Sequence, residues 1–146
     1  MTHSAQWFWC CDLALPGKPG AGDQVIDRML YQMKLLGWPE RDMFNVQLAF
    51  EEAMTNAIMH GNRSDPQKSV HVKCNVRDNE VQITVRDEGG GFNPETLPDP
   101  RLPDNILVPS GRGILLIRHI MSEVEFLPCG NGLTMTKYRT TPAENQ

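Results

Sequence analysis

The chain has 146 residues and 40% of them are hydrophobic, which fits one domain with a packed core and excludes general disorder. The formal net charge of −4 argues against a nucleic-acid binder that works by neutralising phosphates. The longest apolar run, residues 7–11, is far shorter than the roughly 18 residues of a membrane span. No signal-peptide pattern opens the chain, so we expect a soluble, cytoplasmic protein that contacts neither membrane nor nucleic acid.

Apolar alternation predicts five strands, and apolar recurrence at helical spacing predicts three helices. In chain order the predicted elements are strand 7–15, helix 23–36, helix 39–60, strands 70–76 and 81–86, helix 114–121, and strands 124–127 and 133–138. Gly37 and Gly61 are expected to end the first two helices. Asp78-Asn79 suits a tight turn between the second and third strands. The long segment 88–110, rich in Gly, Pro, Asp and Asn, is typical of a functional loop.

This order of elements predicts an α+β fold, a two-layer sandwich with helices on one face of the sheet. We expect a mixed, mostly antiparallel sheet of about five strands covered by about three helices. A single domain is expected over residues 1–139, followed by a polar tail at 140–146.

The N-terminal segment 7–11 is apolar on both faces, unlike a strand with one wet side. Two explanations stand for it: pairing with a second chain, or burial within this one. The cysteines have no metal-binding spacing, and we expect reduced thiols with no disulfide. They are Cys10, Cys11, Cys74 and Cys129.

Three polar residues of the second helix follow one another at i, i+4 spacing and so share one stripe: Glu52, Asn56 and His60. Polar groups among apolar neighbours require partners, or a cavity that holds water, ions or a ligand. A carboxylate beside an amide suits a proton acceptor next to a magnesium ligand. The alternative is a partly exposed helix edge, with Glu51 and Glu52 in water.

Asp87 follows a strand directly and precedes the glycine run that includes Gly89 and Gly91. An ionised carboxylate at a strand end accepts a hydrogen bond from an exocyclic amine such as that of adenine. Glycines let the backbone approach a flat ligand closely. The alternative is an ordinary glycine turn into the long loop.

Ser110, Gly111, Arg112 and Gly113 open the third predicted helix. A serine N-cap with free backbone N–H groups makes an anion site, and the arginine adds donors and positive charge. The pattern is not a Walker A loop, because GxxxxGK[ST] occurs nowhere in the chain. The alternative is an ordinary capped helix.

Together the three motifs resemble those of the GHKL ATPase superfamily, over residues 6–139. The matching boxes are Glu52-x-x-x-Asn56 for the N box, Asp87-x-Gly89-x-Gly91 for G1 and Gly111-x-Gly113 for G2. Within that group, residues 51–62 (EEAMTNAIMHGN) are most similar to the anti-sigma-factor serine kinases of bacterial partner-switching systems.

The resemblance implies a Bergerat-type ATP-binding fold that uses ATP and Mg²⁺. It implies Glu52 as the general base, Asn56 as the magnesium ligand and Asp87 as the adenine-binding carboxylate. The other implied nucleotide-binding residues are Gly89, Gly91, Gly111, Arg112, Gly113 and Thr134.

The activity implied by the resemblance is an ATP- and Mg-dependent serine-protein kinase acting as an anti-sigma factor. Its expected partners are a STAS-type anti-anti-sigma protein, which it phosphorylates, and a sigma factor, with homodimerisation through the N-terminal strand. Two alternatives stay open. One is a nucleotide-binding regulatory interaction module without phosphotransfer, and the other is the catalytic domain of a histidine-kinase-like system.

Overall fold

The computed structural model describes residues 6–90 and 109–141, and their elements follow the predicted order. The elements are β1 (Trp9–Pro16), α1 (Asp23–Leu35), α2 (Glu40–Thr55), β2 (Ser69–Val76), β3 (Glu80–Arg86), α3 (Pro109–Ile120), β4 (Glu123–Phe126) and β5 (Gly132–Tyr138). A π-helical turn, Asn56–Gly61, continues α2 to its predicted end. Five strands and three α-helices confirm the predicted α+β class. Within the described ranges, no helix has both the length and the apolar character to cross a membrane.

The five strands form one sheet in the order β1-β2-β3-β5-β4. Each pair of neighbouring described strands is antiparallel, so this part of the sheet has no parallel component. Arg77 N donates to Glu80 O (2.9 Å), which confirms the tight turn at Asp78-Asn79. Since β5 lies between β3 and β4, the end of β3 is beside the start of β5, where Arg86 pairs with Gly132.

The core lies between one face of the sheet and the helices. Alternate residues of β2, β3 and β5 point to this face, as the pleat of a strand requires. The buried apolar residues of these three strands are Val70, Val72, Cys74, Val76, Val81, Ile83, Val85, Leu133 and Met135. The buried helix residues opposite them include Met29, Met33, Val46, Phe50, Ala53 and Ile117.

The start of α3 differs from the prediction. The helix begins at Pro109 rather than at residue 114, because proline is well suited to the first helical turn. Ser110, predicted as the N-cap, therefore lies inside the helix, and the glycine-rich segment forms the first turns instead of preceding them.

The chain after β5 is tied to the connection between α1 and α2. Thr140 donates from its backbone N to Asp42 Oδ2 and from its hydroxyl to Asp42 Oδ1, both at 2.8 Å. The Arg139 guanidinium donates to the carbonyls of Leu36 (3.0 Å) and Gly37 (2.7 Å). Residue 140, the first of the predicted polar tail, is thus held by a buried carboxylate at the start of α2.

We expect Asp42→Ala to lower the free energy of unfolding by about 2–3 kcal/mol, because it removes two hydrogen bonds to a buried charged group. Urea denaturation measures this as a lower midpoint at an unchanged slope. Glu40→Ala is the matched control, since Glu40 is an exposed acidic residue of the same first turn. It should cost only the helix-dipole interaction, about 0.3–1 kcal/mol. Equal decreases in the free energy of unfolding of both variants would show that the hydrogen bonds between Asp42 and Thr140 do not stabilise the fold.

Candidate functional site

Glu52 and Asn56 face α3 from the same side of α2. A Cβ atom placed on Gly113 of α3 would lie 2.9 Å from Asn56 Nδ2 and 3.1 Å from Glu52 Oε2. The bare glycine therefore allows the backbone of α3 to approach both side chains closely. The structure therefore brings a carboxylate and an amide of the first motif close to the N-terminal part of the helix that carries the third.

The structure distinguishes Glu52 from its neighbour Glu51. Glu51 is exposed, accepts a hydrogen bond from Gln47 Nε2 (3.3 Å) and lines a groove of about 240 Å³ between α2 and the start of α1. Glu52 is half-buried and faces Gly113 instead. Of these two adjacent carboxylates, only Glu52 stands beside Asn56 and α3.

Asn56 holds a polar group that the described residues leave unsatisfied. Its Nδ2 is buried and has no hydrogen-bond partner among them. An unpaired buried donor costs about 1–3 kcal/mol, so such a group calls for a ligand. In its present orientation the amide nitrogen would donate to an anionic oxygen. Rotated by 180°, the amide would present Oδ1, an oxygen ligand of the kind that magnesium takes. Asn56 also opens the π-helical turn, a feature frequent at functional sites.

Asp87 is a buried carboxylate at the end of β3. Burial raises the pKa of Asp87, and the hydrogen bond from Gly89 N to Oδ1 (2.8 Å) acts in the opposite direction. The backbone N of Asp87 donates to Asn131 O (2.8 Å), which fixes the strand end against the turn before β5. A carboxylate held in this way can accept a hydrogen bond from an amine.

The π-helical turn packs directly against the turn that follows β3. A Cβ atom on Gly61 would overlap the carboxylate of Asp87, and one on Gly89 would overlap the carbonyl oxygen of Gly61. Both positions therefore need glycine for steric reasons. Gly61 was predicted only as the end of a helix, and its contact with Asp87 joins the first motif to the second.

Asn62 is a further residue of the site that the sequence analysis missed. It is fully buried; its Nδ2 donates to Ser69 O (3.0 Å), and its Oδ1 accepts from Glu88 N (2.8 Å). One side chain thus joins the end of the π-helical turn, the start of β2 and the turn after β3. Its position in residues 51–62 was the signal available, but its partners are distant in sequence.

Thr134 is not brought together with the other site residues. Its hydroxyl is hydrogen-bonded to that of Thr84 (2.9 Å), and its neighbours Leu133 and Met135 are buried in the core. Because successive side chains of a strand point to opposite faces, Thr134 lies on the sheet face away from the helices. The structure gives no support to its predicted place near adenine.

The remaining predicted residues are described in part or not at all. Gly91 lies outside the described residues, as does most of the long loop. Gly111 and Arg112 belong to the first turns of α3, but the Arg112 side chain lies outside the description. Of the four predicted glycines, Gly89 and Gly113 alone have contacts that the structure describes.

A match to a known protein family defines the class of protein to which the chain belongs. Residues 24–137 match the family described as "Histidine kinase-like ATPase domain". The match covers well over half of the chain, so the chain belongs to this family. Membership implies an ATP-binding fold and confirms the GHKL resemblance noted in the sequence.

Individual relatives are anti-sigma factors. The chain is 32% identical over 103 residues to an anti-sigma F factor of Oceanobacillus iheyensis, covering 66% of this chain and 69% of that protein. It is 31% identical over 102 residues to the anti-sigma F factor of Bacillus cytotoxicus, covering 66% and 70%.

A solved structure shares the fold. The crystal structure of the RsbU and RsbW domains of Rv1364c from Mycobacterium tuberculosis superposes with a TM-score of 0.59 at 18% identity. The superposition covers 89% of this chain and 32% of the other chain, so this chain spans about a third of that protein.

We expect Gly89→Ala to destabilise the protein by about 1–3 kcal/mol, the usual cost of forcing an extra carbon into a packed position. The added Cβ would collide with the backbone of Gly61, which cannot move aside by changing rotamer as a side chain could. Gly90→Ala is the matched control, because a Cβ there meets nothing within 4 Å. Urea denaturation of both variants checks the contact, and equal midpoints would contradict it.

Because the pKa of Asp87 is raised, we expect Asp87→Asn to stabilise the folded protein by an amount that depends on pH. The folded-state pKa lies above the ordinary value of 3.8, so the wild type loses stability as the pH rises through the folded value. Asparagine keeps an acceptor for Gly89 N and never ionises. The variant's stability relative to wild type should therefore rise from acidic to neutral pH, as urea midpoints at both would show. A relative stability that falls over this range would reverse the sign and contradict the burial effect.

Proposed function

We propose that this protein is an ATP- and magnesium-dependent serine-protein kinase that acts as an anti-sigma factor. Its substrate is a STAS-type anti-anti-sigma protein, and its other partner is a sigma factor. The observation that carries the proposal is the meeting of Glu52, the unsatisfied amide of Asn56 and Gly113 between α2 and α3. The similarity to anti-sigma F factors supports the choice of partners.

In this proposal the adenine is recognised at the end of β3. Asp87 accepts a hydrogen bond from the exocyclic amine, and its contact with Gly61 and Gly89 sets its distance from α2. Burial excludes water from this carboxylate, which strengthens its selection of a donor over an acceptor on the base. Gly91 is proposed to complete the base pocket.

The phosphates are proposed to bind between Asn56 and the first turns of α3. The free backbone N–H groups of the first turn of α3 and the positive end of the helix dipole favour anions at this end of the helix, which holds Gly111, Arg112 and Gly113. Asn56 would hold the magnesium ion, a hard cation that takes oxygen ligands and keeps several from phosphates and water. Bound magnesium would neutralise charge on the transferred phosphoryl group.

Glu52 is proposed as the general base. It is half-buried, lies one turn before Asn56 and faces α3 across Gly113. In that position its carboxylate is on the phosphate side of α2 and can take the proton of an incoming serine hydroxyl. Glu51, one residue earlier, faces the groove beside α1 and has no such role.

The proposal extends to assembly and location. β1 is at one end of the strand order, so within the described sheet it pairs on one side only, with β2. Phe8, just before it, is 53% exposed. These features support a homodimer that forms through the N-terminal strand, and a sigma-factor partner places the protein in the cytoplasm.

The test mixes the purified protein with Mg-ATP and a STAS-type protein of the same organism, and mass spectrometry measures phosphoserine on the partner. Glu52→Ala should slow phosphotransfer by about 10²- to 10⁴-fold, the usual contribution of a general base, with ATP binding kept. Glu51→Ala, which alters the adjacent carboxylate, should retain wild-type activity.

Calorimetry of ATP binding, read together with the phosphotransfer assay, separates an active kinase from a module that binds nucleotide without phosphotransfer. Asp87→Asn should weaken binding by about 10- to 100-fold, the value of a hydrogen bond to a charged group. Nucleotide binding without phosphoserine on the partner would instead favour the regulatory module without phosphotransfer. Equal phosphotransfer by wild type and Glu52→Ala would remove Glu52 from its proposed role.

A further inference from the structure

Cys11 and Cys74 are directly opposed on the neighbouring strands β1 and β2. Both are free thiols. Cys74 is fully buried in the core, and Cys11 is half-buried at the edge of the sheet. Both belong to the sheet face that packs against the helices. Solvent therefore reaches the thiol of Cys11 but not that of Cys74, which lies opposite it.

The register brings the two residues within disulfide range. Directly opposed residues of an antiparallel pair have Cα atoms about 4.5 or 5.5 Å apart, according to their place in the ladder. Disulfides span Cα separations of about 4.4–6.8 Å. Bond formation here therefore needs side-chain rotation but no change in strand pairing.

The two thiols have opposite acid–base properties. A hydrogen bond from Cys74 lowers the pKa of Cys11 to about 7; burial and the charge of Asp12 oppose this, and the charge of Arg28 supports it. The same hydrogen bond and burial raise the pKa of Cys74. The lowered pKa favours Cys11 as the thiolate nucleophile, and the raised pKa favours the protonated thiol of Cys74 beside it.

We propose that Cys11 and Cys74 are a reversible oxidation site, at which a hydroperoxide such as H₂O₂ converts the two thiols into an intrachain disulfide. The Cys11 thiolate attacks the peroxide, the O–O bond breaks, and with one proton the products are a sulfenic acid and water. The Cys74 sulfur then attacks the Cys11 sulfur, and the S–O bond breaks with release of a second water. The two thiols lose two electrons to the peroxide, and a dithiol reductant reverses the change.

The other two cysteines are exposed but lack an opposed thiol. Cys10 is one residue before Cys11 and so points to the other face of the sheet, opposite Asn75. Cys129 lies in the turn before β5. They therefore serve as matched controls for exposure without pairing.

The experiment treats the whole reduced protein with H₂O₂, alkylates the remaining thiols, and maps the products by digestion and mass spectrometry. We expect near-complete conversion to a Cys11–Cys74 linkage in wild type, Cys10→Ser and Cys129→Ser, and its reversal by dithiothreitol. In Cys74→Ser, dimedone should trap a sulfenic acid on Cys11. The wild-type map is decisive even if a substitution of buried Cys74 impairs folding.

Two results would overturn the inference. One is that Cys11 and Cys74 both remain open to alkylation after denaturation of the peroxide-treated protein. The other is that oxidation links Cys10 to Cys10 of a second chain while Cys11 and Cys74 stay reduced. Neither result bears on phosphotransfer, so the oxidation site and the proposed kinase activity stand or fall separately.

Discussion

The contact between the π-helical turn and the turn after β3 determines the distances within the site. No side chain larger than hydrogen fits at Gly61 or Gly89, because each faces a fixed group across the contact. Gly61 comes one helical turn after Asn56, so the same rigid segment carries the amide and meets Asp87. A second close approach, at Gly113, brings α3 to Glu52 and Asn56. Separate elements thus hold their polar groups together through backbone contact, which tolerates less displacement than contact between long side chains.

Four polar residues with buried groups, Asp42, Asn56, Asn62 and Asp87, differ in how well the described structure satisfies them. Asn62 and Asp42 each form hydrogen bonds with both terminal polar atoms of the side chain, and their partners are backbone or hydroxyl groups. Asn56 has a buried amide nitrogen without a described partner, and burial raises the pKa of Asp87. The hydrogen bonds of Asn62 and Asp42 stabilise the fold, whereas an unpaired buried amide and the burial of a carboxylate both lower its stability. This contrast makes Asn56 and Asp87 the strongest candidates for ligand binding.

Sequence patterns predict helices and strands, because interactions between residues close in the chain largely determine them. Helical spacing correctly placed Glu52 and Asn56 on one side of α2, and alternation identified all the strands. Thr134 shows the limit, since the pattern placed it in a strand but did not determine its partner, the hydroxyl of Thr84 on the face away from the helices. The joint between Asp42 and Thr140 spans 98 residues, and the link from Asn62 to Glu88 spans 26. No periodicity encodes such pairs, because their partners meet only after the sheet has formed.

β2 connects the thiol pair with the candidate functional site. At its start, Ser69 O accepts from Asn62, and Ser69 N donates to Glu88 Oε1 (2.8 Å). Two residues farther along β2 is His71, whose Nε2 lies 3.2 Å from Glu88 Oε2. Farther along the same strand, Cys74 faces Cys11 on the edge strand. A covalent bond at Cys74 would therefore tether the edge strand to the strand that anchors the turn after β3. Oxidation at Cys74 would thus act on a strand whose first residue already contacts Asn62 and Glu88 of the candidate site.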